Sequence, residues 1–235
     1  MILITGTKGF IGKYLCNYFD EKKLKYIPFI GDITKPGNYV KYKNYNIKCI
    51  IHLAALIPHK NNWSLEKLNQ VNIEGTNILY SFFSKTKIIF VSTKDIEKLP
   101  LTDYSQSKSS AEAIIKKNNS NLIIRLPSVY GPNQTQKKLL PKIFEYYYQK
   151  KKLTIHNDDI REYIYIKDLC KIIVENLNNN GILSLQGTKI KNLRLKKLIK
   201  FIYEKNPVKI TDLEEFQIFN NLQIISREYE KDNNL

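Results

Sequence analysis

The first apolar run, Met1–Ile4, is short and carries β-branched Ile2 and Ile4, the mark of a buried strand. Past it, Phe10, Ile11, Tyr14, Leu15, Tyr18 and Phe19 return at helical spacing and predict an amphipathic helix. Lys25–Ile30 reads as a second strand in spite of Pro28. Asn46–Ala55 is almost continuously apolar, as suits a parallel strand covered on both faces. A helix is expected from Ser64, whose hydroxyl can cap it, through Val71, Ile73, Ile78, Leu79 and Phe82. Lys87–Ser92 is a further strand, followed by a helix from Tyr104 through Ala111 and Ile114. Asn121–Arg125 is the next strand. A helix over Leu139–Gln149 tolerates Pro141 in its first turn. Gly181–Gly187 and Leu193–Tyr203 read as a last strand and helix, and the rest of the chain shows no motif. Strands alternating with helices point to an α/β protein.

Between the first strand and the first helix, Gly6, Gly9 and Gly12 recur every three residues. A glycine-rich turn at a helix N-terminus leaves backbone N–H groups unpaired where the dipole is positive, a natural seat for a dinucleotide phosphate. The three glycines divide the work into a tight turn, close approach to a pyrophosphate, and packing of helix on strand. Asp32, in Gly31-Asp32-Ile33, lies about twenty positions further on, where a carboxylate binds ribose hydroxyls. It reads as a ribose contact, an adenine contact or a turn-forming Asp. His52, inside its strand, reads as a packed histidine before a catalyst. Tyr104 and Lys108 stand four apart on one helix face, about 5–6 Å between Cβ atoms. The strand upstream delivers Ser92 and Thr93 to its C-terminal end, where open α/β sheets place their chemistry.

Composition narrows the picture. At 235 residues, 43% of them hydrophobic, the chain can bury one large core or one core and a small lobe. Cys16, Cys49 and Cys170 have no metal-ligand spacing and read as reduced core thiols of a cytoplasmic protein. No signal peptide and no membrane span are expected: the longest mainly apolar stretch, Cys49–Pro58, is too short and is broken by His52. The net charge of +16 is spread along the chain, and the densest run, Lys150–Lys152, reads as a solvated helix end. Nucleic acid is therefore not expected as a partner, while the positive field suits a nucleotide diphosphate.

These motifs, in this order, resemble the extended short-chain dehydrogenase/reductase superfamily in its NAD-dependent epimerase/dehydratase, nucleotide-sugar-modifying branch. Thr5-Gly6-Thr7-Lys8-Gly9-Phe10-Ile11-Gly12 is similar to its glycine turn, His52-Leu53-Ala54-Ala55 to a strand-end motif, and Val71–Thr76 to a segment whose Asn72 supports the sheet or the cofactor loop. Tyr104–Lys108 resembles its YxxxK pair, Arg125–Pro132 the segment that lines the nicotinamide, and Arg161–Asp168 a phosphate-binding strand whose Asp caps the next helix. The resemblance covers about residues 1–203. It implies a Rossmann-like doubly wound parallel sheet with helices on both faces over residues 1–132, and a small C-terminal α/β substrate lobe over residues 133–235.

The resemblance also implies roles. Cofactor contacts fall on Gly6, Gly9, Phe10, Ile11, Gly12, Asp32, Ile33, Leu53, Ala54, Ala55, Asn72, Ser92, Tyr104, Lys108 and Pro127. NAD is favoured and NADP is possible, because no Arg directly follows the second strand. Thr93, Tyr104 and Lys108 are the catalytic set. Tyr104 takes the proton of a sugar hydroxyl, Thr93 aligns the same oxygen, and Lys108 supports the phenolate and the nicotinamide ribose. Thr93, Ser128 and Arg161 face the nucleotide-diphosphate sugar, with Ser128 standing where many members carry Asn. No metal is implied. An epimerase acting through a keto sugar is expected first and a keto-sugar reductase second. A dehydratase comes third, because Lys94-Asp95 stands where family dehydratases carry Asp-Glu. A non-catalytic dinucleotide-binding scaffold is the competing class. A homodimer through the Ser64–Phe83 and Tyr104–Lys117 helices is implied.

Overall fold

The computed structural model describes all residues except 59–62, 136, 156, 209, 211 and 235. Six parallel strands form the main sheet: β1 (Ile2–Thr5), β2 (Tyr26–Pro28), β3 (Cys49–His52), β4 (Lys87–Thr93), β5 (Leu122–Leu126) and β8 (Gly181–Ser184), in the order β2-β1-β3-β4-β5-β8. Every residue of β3 is buried, His52 included, as suits a parallel strand covered on both faces. The order reverses at β1, which has β2 on one side and β3 on the other. A crevice opens outside the carboxyl ends of the strands at such a reversal. The fold is Rossmann-like α/β. Helix α1 (Phe10–Glu21) follows β1 directly, burying Gly12, Leu15 and Phe19.

The β2–β3 connection contains no strand. A 3-10 helix over Pro36–Asn44 fills it and buries Tyr39 and Tyr42. Their rings stack on Phe82 and Phe29, at 5.0 and 5.1 Å between centroids. Their hydroxyls donate to Ile33 O (2.8 Å) and Pro28 O (3.1 Å), so each buried phenol is satisfied. After β3 one helical run is built of α2 (Leu65–Leu68), a π-helical stretch over Asn69–Glu74 and α3 (Gly75–Phe82). Ser64 caps it, its Oγ accepting from Lys67 N at 3.2 Å. Helix α4 (Asp103–Ile115) follows β4 after a short 3-10 turn, Lys94–Glu97.

The chain divides into two compact units, Met1–Leu126 with Cys170–Leu185, and Pro127–Leu169 with Gln186–Leu235. The first therefore stops short of residue 132 and takes back a later segment, because β8 pairs with β5. In the second unit β6 (Ser128–Tyr130) pairs parallel with β7 (Ile160–Tyr165), which pairs antiparallel with β9 (Thr188–Lys191). Around this sheet the chain adds α5 (Leu139–Tyr148), α7 (Asn192–Tyr203) and α8 (Leu213–Asp232). Helix α8 lies in the stretch whose sequence showed no motif. It buries Ile218, Phe219, Leu222 and Ile225, and its cap Asp212 accepts from Glu215 N at 2.8 Å. Helix α6 (Ile166–Glu175) begins two residues before Asp168, so that carboxylate sits in the first turn rather than at the cap. There its charge favours the helix dipole.

Candidate active site

The glycine turn is shaped by its neighbours. Gly6 has φ +71° and lies so close to the end of β3 that a Cβ would stand 2.7 Å from Ala54 N. A Cβ at Gly12 would stand 2.1 Å from Gly6 O, so the first turn of α1 closes directly onto the loop. Gly9 differs. Its φ is −77°, open to any residue, and a Cβ there would meet only Gly6 O at 3.1 Å. Gly9 is also the N-cap of α1, no side chain caps the helix, and the first turn holds no acidic residue. The fold needs glycine at positions 6 and 12; position 9 stays bare on the side where a phosphate would approach. These residues fit a dinucleotide. Phe10 and Ile11 are half-buried just inside the helix.

A buried hydrogen-bond chain runs from this turn to α4. Thr5 Oγ1 accepts from Leu53 N (3.2 Å) and Ala54 N (3.1 Å), so its proton goes to His52 Nδ1 at 2.7 Å. Thr76 Oγ1 donates to Asn72 O at 2.7 Å, so it accepts from His52 Nε2 at 3.0 Å. His52 is thereby fixed as the neutral Nε2–H tautomer. Burial, with the Lys108 charge adding to it, pushes its pKa down to about 3. His52 is a packed, neutral linker, as its place inside the strand suggested.

Asn72 continues the chain. Its Oδ1 accepts from Leu56 N (2.8 Å), and its Nδ2 donates to Leu56 O (3.2 Å) and Ser107 Oγ (3.0 Å). Both amide protons are spent within the protein. Through Leu56, Asn72 thus supports the loop carrying Leu53, Ala54 and Ala55. Ser107 Oγ then donates to Tyr104 O at 2.8 Å.

Thr102 caps α4 through Ser105 N at 3.2 Å and starts the helix that carries Tyr104 and Lys108. Tyr104 is half-buried, and burial, then the Asp95 charge, raises its pKa. Lys108 is 3% exposed. Its Nζ donates to Val91 O at 2.8 Å and lies 3.9 Å from the Phe90 ring centroid. The ammonium therefore rests on β4 in this structure. Burial pulls its pKa down to about 7, against the opposing Glu112 carboxylate. Thr93 Oγ1 accepts from Asp95 N at 3.1 Å, which leaves its hydroxyl proton free to donate. Ser92, also buried, is beside it at the end of β4.

The depressed Lys108 pKa has a testable sign. The unfolded chain holds this proton up to about pH 10.5, and the folded one releases it near 7, so burial of the ammonium destabilises fully below pH 7 and not at all above 10.5. Lys108→Met is expected to raise the Tm of the ligand-free protein most below pH 7. The gap should close as pH rises through that window; a pH-independent gap would contradict it.

The remaining expected residues are distributed as follows. Asp32 Oδ1 accepts from Thr34 N (2.9 Å) and Thr34 Oγ1 (2.8 Å), which hold its carboxyl below the usual range. The turn-forming role is thus occupied, on an exposed, ionised side chain. Ile33 is 6% exposed and packs into the core against Gly75. Its side chain is a core residue, so only its backbone is left to face a cofactor. Pro127, Ser128 and Arg161 belong to the second unit, Ser128 on β6 and Arg161 on β7. Sequence reasoning missed Glu112, buried one turn beyond Lys108 and gripped by Arg125 (Nε–Oε1 3.1 Å, Nη2–Oε2 2.8 Å). Its signal was a carboxylate continuing the i+4 series of the buried face from Tyr104 and Lys108.

A glycine cradle at the strand reversal, beside a hydroxyl strand end and a Tyr–Lys helix, defines a Rossmann-like protein equipped for nucleotide chemistry. Solved structures share this fold. The dTDP-glucose 4,6-dehydratase of Bacillus anthracis, solved with NAD, superposes with TM-score 0.79 at 22% identity over 98% of this chain and 96% of that one. The UDP-glucose 4-epimerase of Thermus thermophilus, also solved with NAD, gives 0.80 at 15% identity over 97% and 98%. Residues 2–183 match the NAD dependent epimerase/dehydratase family, and the chain belongs to it. Among curated relatives, dTDP-D-glucose 4,6-dehydratase of Dictyostelium discoideum is 29% identical, over 72% of this chain and 53% of its own length. The chain spans about half the length of that relative. No helix among the described residues is long and apolar enough to cross a membrane.

Proposed function

We propose that this protein binds NAD and exchanges a hydride at a secondary alcohol of a nucleoside-diphosphate sugar, with epimerisation through the keto sugar as the outcome. The observation that carries the reading is that Thr93 at the end of β4, and Tyr104 and Lys108 in the first half of α4, belong to the unit that holds the glycine turn. Gly6, Gly9 and Gly12, with the N-terminus of α1, would hold the dinucleotide. When bound, its nicotinamide supplies the redox capacity. Thr93, whose hydroxyl proton is free, donates to the sugar oxygen and aligns it. Tyr104 exchanges the proton of that oxygen as base and then acid. At rest its raised pKa keeps the phenol neutral. A cation drawn toward the hydroxyl lowers that pKa, and Lys108 is the buried ammonium on the same helix face.

Dehydration is the second reading, favoured by the similarity to a dTDP-D-glucose 4,6-dehydratase and by Asp95, whose charge reaches Tyr104. Epimerisation is placed ahead because position 94 is Lys, leaving Asp95 as one carboxylate where an acid and a base are needed. Incubation with UDP-, dTDP-, GDP- and CDP-hexoses plus catalytic NAD distinguishes them. An epimerase returns an isomer of unchanged mass with no net NADH. Loss of water marks a dehydratase, and sustained oxidation of added NAD(P)H with a keto sugar marks a reductase. Binding of NAD with no turnover of any sugar would leave the scaffold class.

A further inference from the structure

Thr93 is followed at once by the 3-10 turn Lys94–Glu97, and that turn ends on a carboxylate with two partners. Glu97 Oε1 accepts from Arg125 Nη1 at 3.2 Å and from Ser184 Oγ at 2.9 Å. The same guanidinium grips Glu112 of α4 through its other two nitrogens. Lys116, the C-cap residue of α4, approaches Glu112 at 3.5 Å. Burial alone would raise the Glu112 carboxyl, and the Arg125 fork holds it below its usual range. Arg125, on β5, is thus a shared anchor. One end holds the helix that carries Tyr104 and Lys108; the other holds the short turn that carries Asp95 and fixes the Thr93 hydroxyl through Asp95 N.

We propose that Glu97, acting through Arg125, is a positioning residue that locks the Thr93–Glu97 segment onto α4 and so sets the Thr93 hydroxyl against the Tyr104 phenol. Its charge is needed, because a planar guanidinium spreads its donors between two carboxylates and releases the weaker one when that one is neutral. The side chain of Glu97 is 34% exposed and that of Glu112 1%, so Glu97 is the end that lets go. An exposed ion pair of purely structural use contributes little to stability. What Glu97 supplies is alignment, and small misplacements at a reacting centre have large rate effects.

The inference rests on the hydride-transfer reading, and the test keeps the two apart. Glu97→Gln is expected to lower kcat on the order of tenfold, with KM and Tm nearly unchanged. Glu97→Asp, which keeps the charge, should recover most of the rate. In an Arg125→Met background, Glu97→Gln should cost nothing further, because the anchor is already gone. Independently of turnover, hydrogen exchange at Asp95 N should quicken on the order of tenfold in Glu97→Gln and return in Glu97→Asp, since the local opening that exposes it becomes easier. If the wild type turns over no nucleotide sugar, the proposed function fails and the exchange result alone decides the lock. Unchanged exchange in Glu97→Gln, or additive losses with Arg125→Met, overturns the inference.

Discussion

Tyr104→Phe is expected to lower turnover about 10³-fold, within the range that general acid–base groups contribute. The dissociation constant for NAD should stay within a factor of two. The ring remains and only the hydroxyl is removed, while the groups that would seat the dinucleotide, from Gly6 to Gly12, lie in the loop after β1 and the first turn of α1. Thr93 keeps its own partner, Asp95 N. Near-native affinity with collapsed turnover separates an enzyme from a scaffold, because a scaffold is indifferent to this hydroxyl. Steady-state kinetics and calorimetric NAD titration on the same preparation check both halves. Full turnover in Tyr104→Phe would remove the phenol from the chemistry.

What could be read from the sequence was what depends on short-range pattern. The Met1–Ile4 strand, the glycine spacing and the Tyr104–Lys108 step are local, and the structure places them on β1, the loop into α1, and α4. The Asn46–Ala55 run declared a strand covered on both faces, and β3 is that strand. What escaped depends on partners far along the chain. Nothing near Asn72 in sequence shows that Leu56 and Ser107 consume its amide. Ile33 follows a polar Gly-Asp turn, yet α3 arrives with a glycine and admits it to the core. The Pro36–Asn44 stretch shows neither the 3.6-residue period of an α-helix nor the alternation of a strand, because its buried Tyr39 and Tyr42 stand three apart, at the period of a 3-10 helix.

Helix α8 is a different failure. Its apolar positions are diluted by Asn, Gln and Glu, but Asp212-Leu213-Glu214-Glu215 was a legible start signal, with a cap residue and a Glu three positions on. The Lys108 ammonium shows the remaining limit: spacing puts it on the face of Tyr104, while burial and a carbonyl of β4 decide where the charge rests.

The glycines supply the second large effect, and they separate fold from ligand. In Gly12→Ala the new Cβ would lie 2.1 Å from Gly6 O and 2.7 Å from Thr7 Cα, backbone atoms that cannot rotate away. Either α1 or the turn must move. Overpacking of that kind costs about 1–3 kcal/mol or more. At roughly 2–4 °C per kcal/mol for a chain of this size, the Tm should fall by several degrees. Gly9→Ala should behave oppositely. The backbone there is ordinary, and its Cβ would meet only Gly6 O at 3.1 Å, a contact relieved by a shift of a few tenths of an ångström. The Tm is expected to hold, while NAD affinity falls on the order of tenfold or more, about 1.4 kcal/mol per decade, because a methyl occupies the approach of the phosphate. Thermal melts and NAD titration of the two variants side by side give the answer. A Gly9→Ala protein that melts early and binds normally would mean that the middle glycine serves the turn alone, and the anion seat at α1 would lose its support.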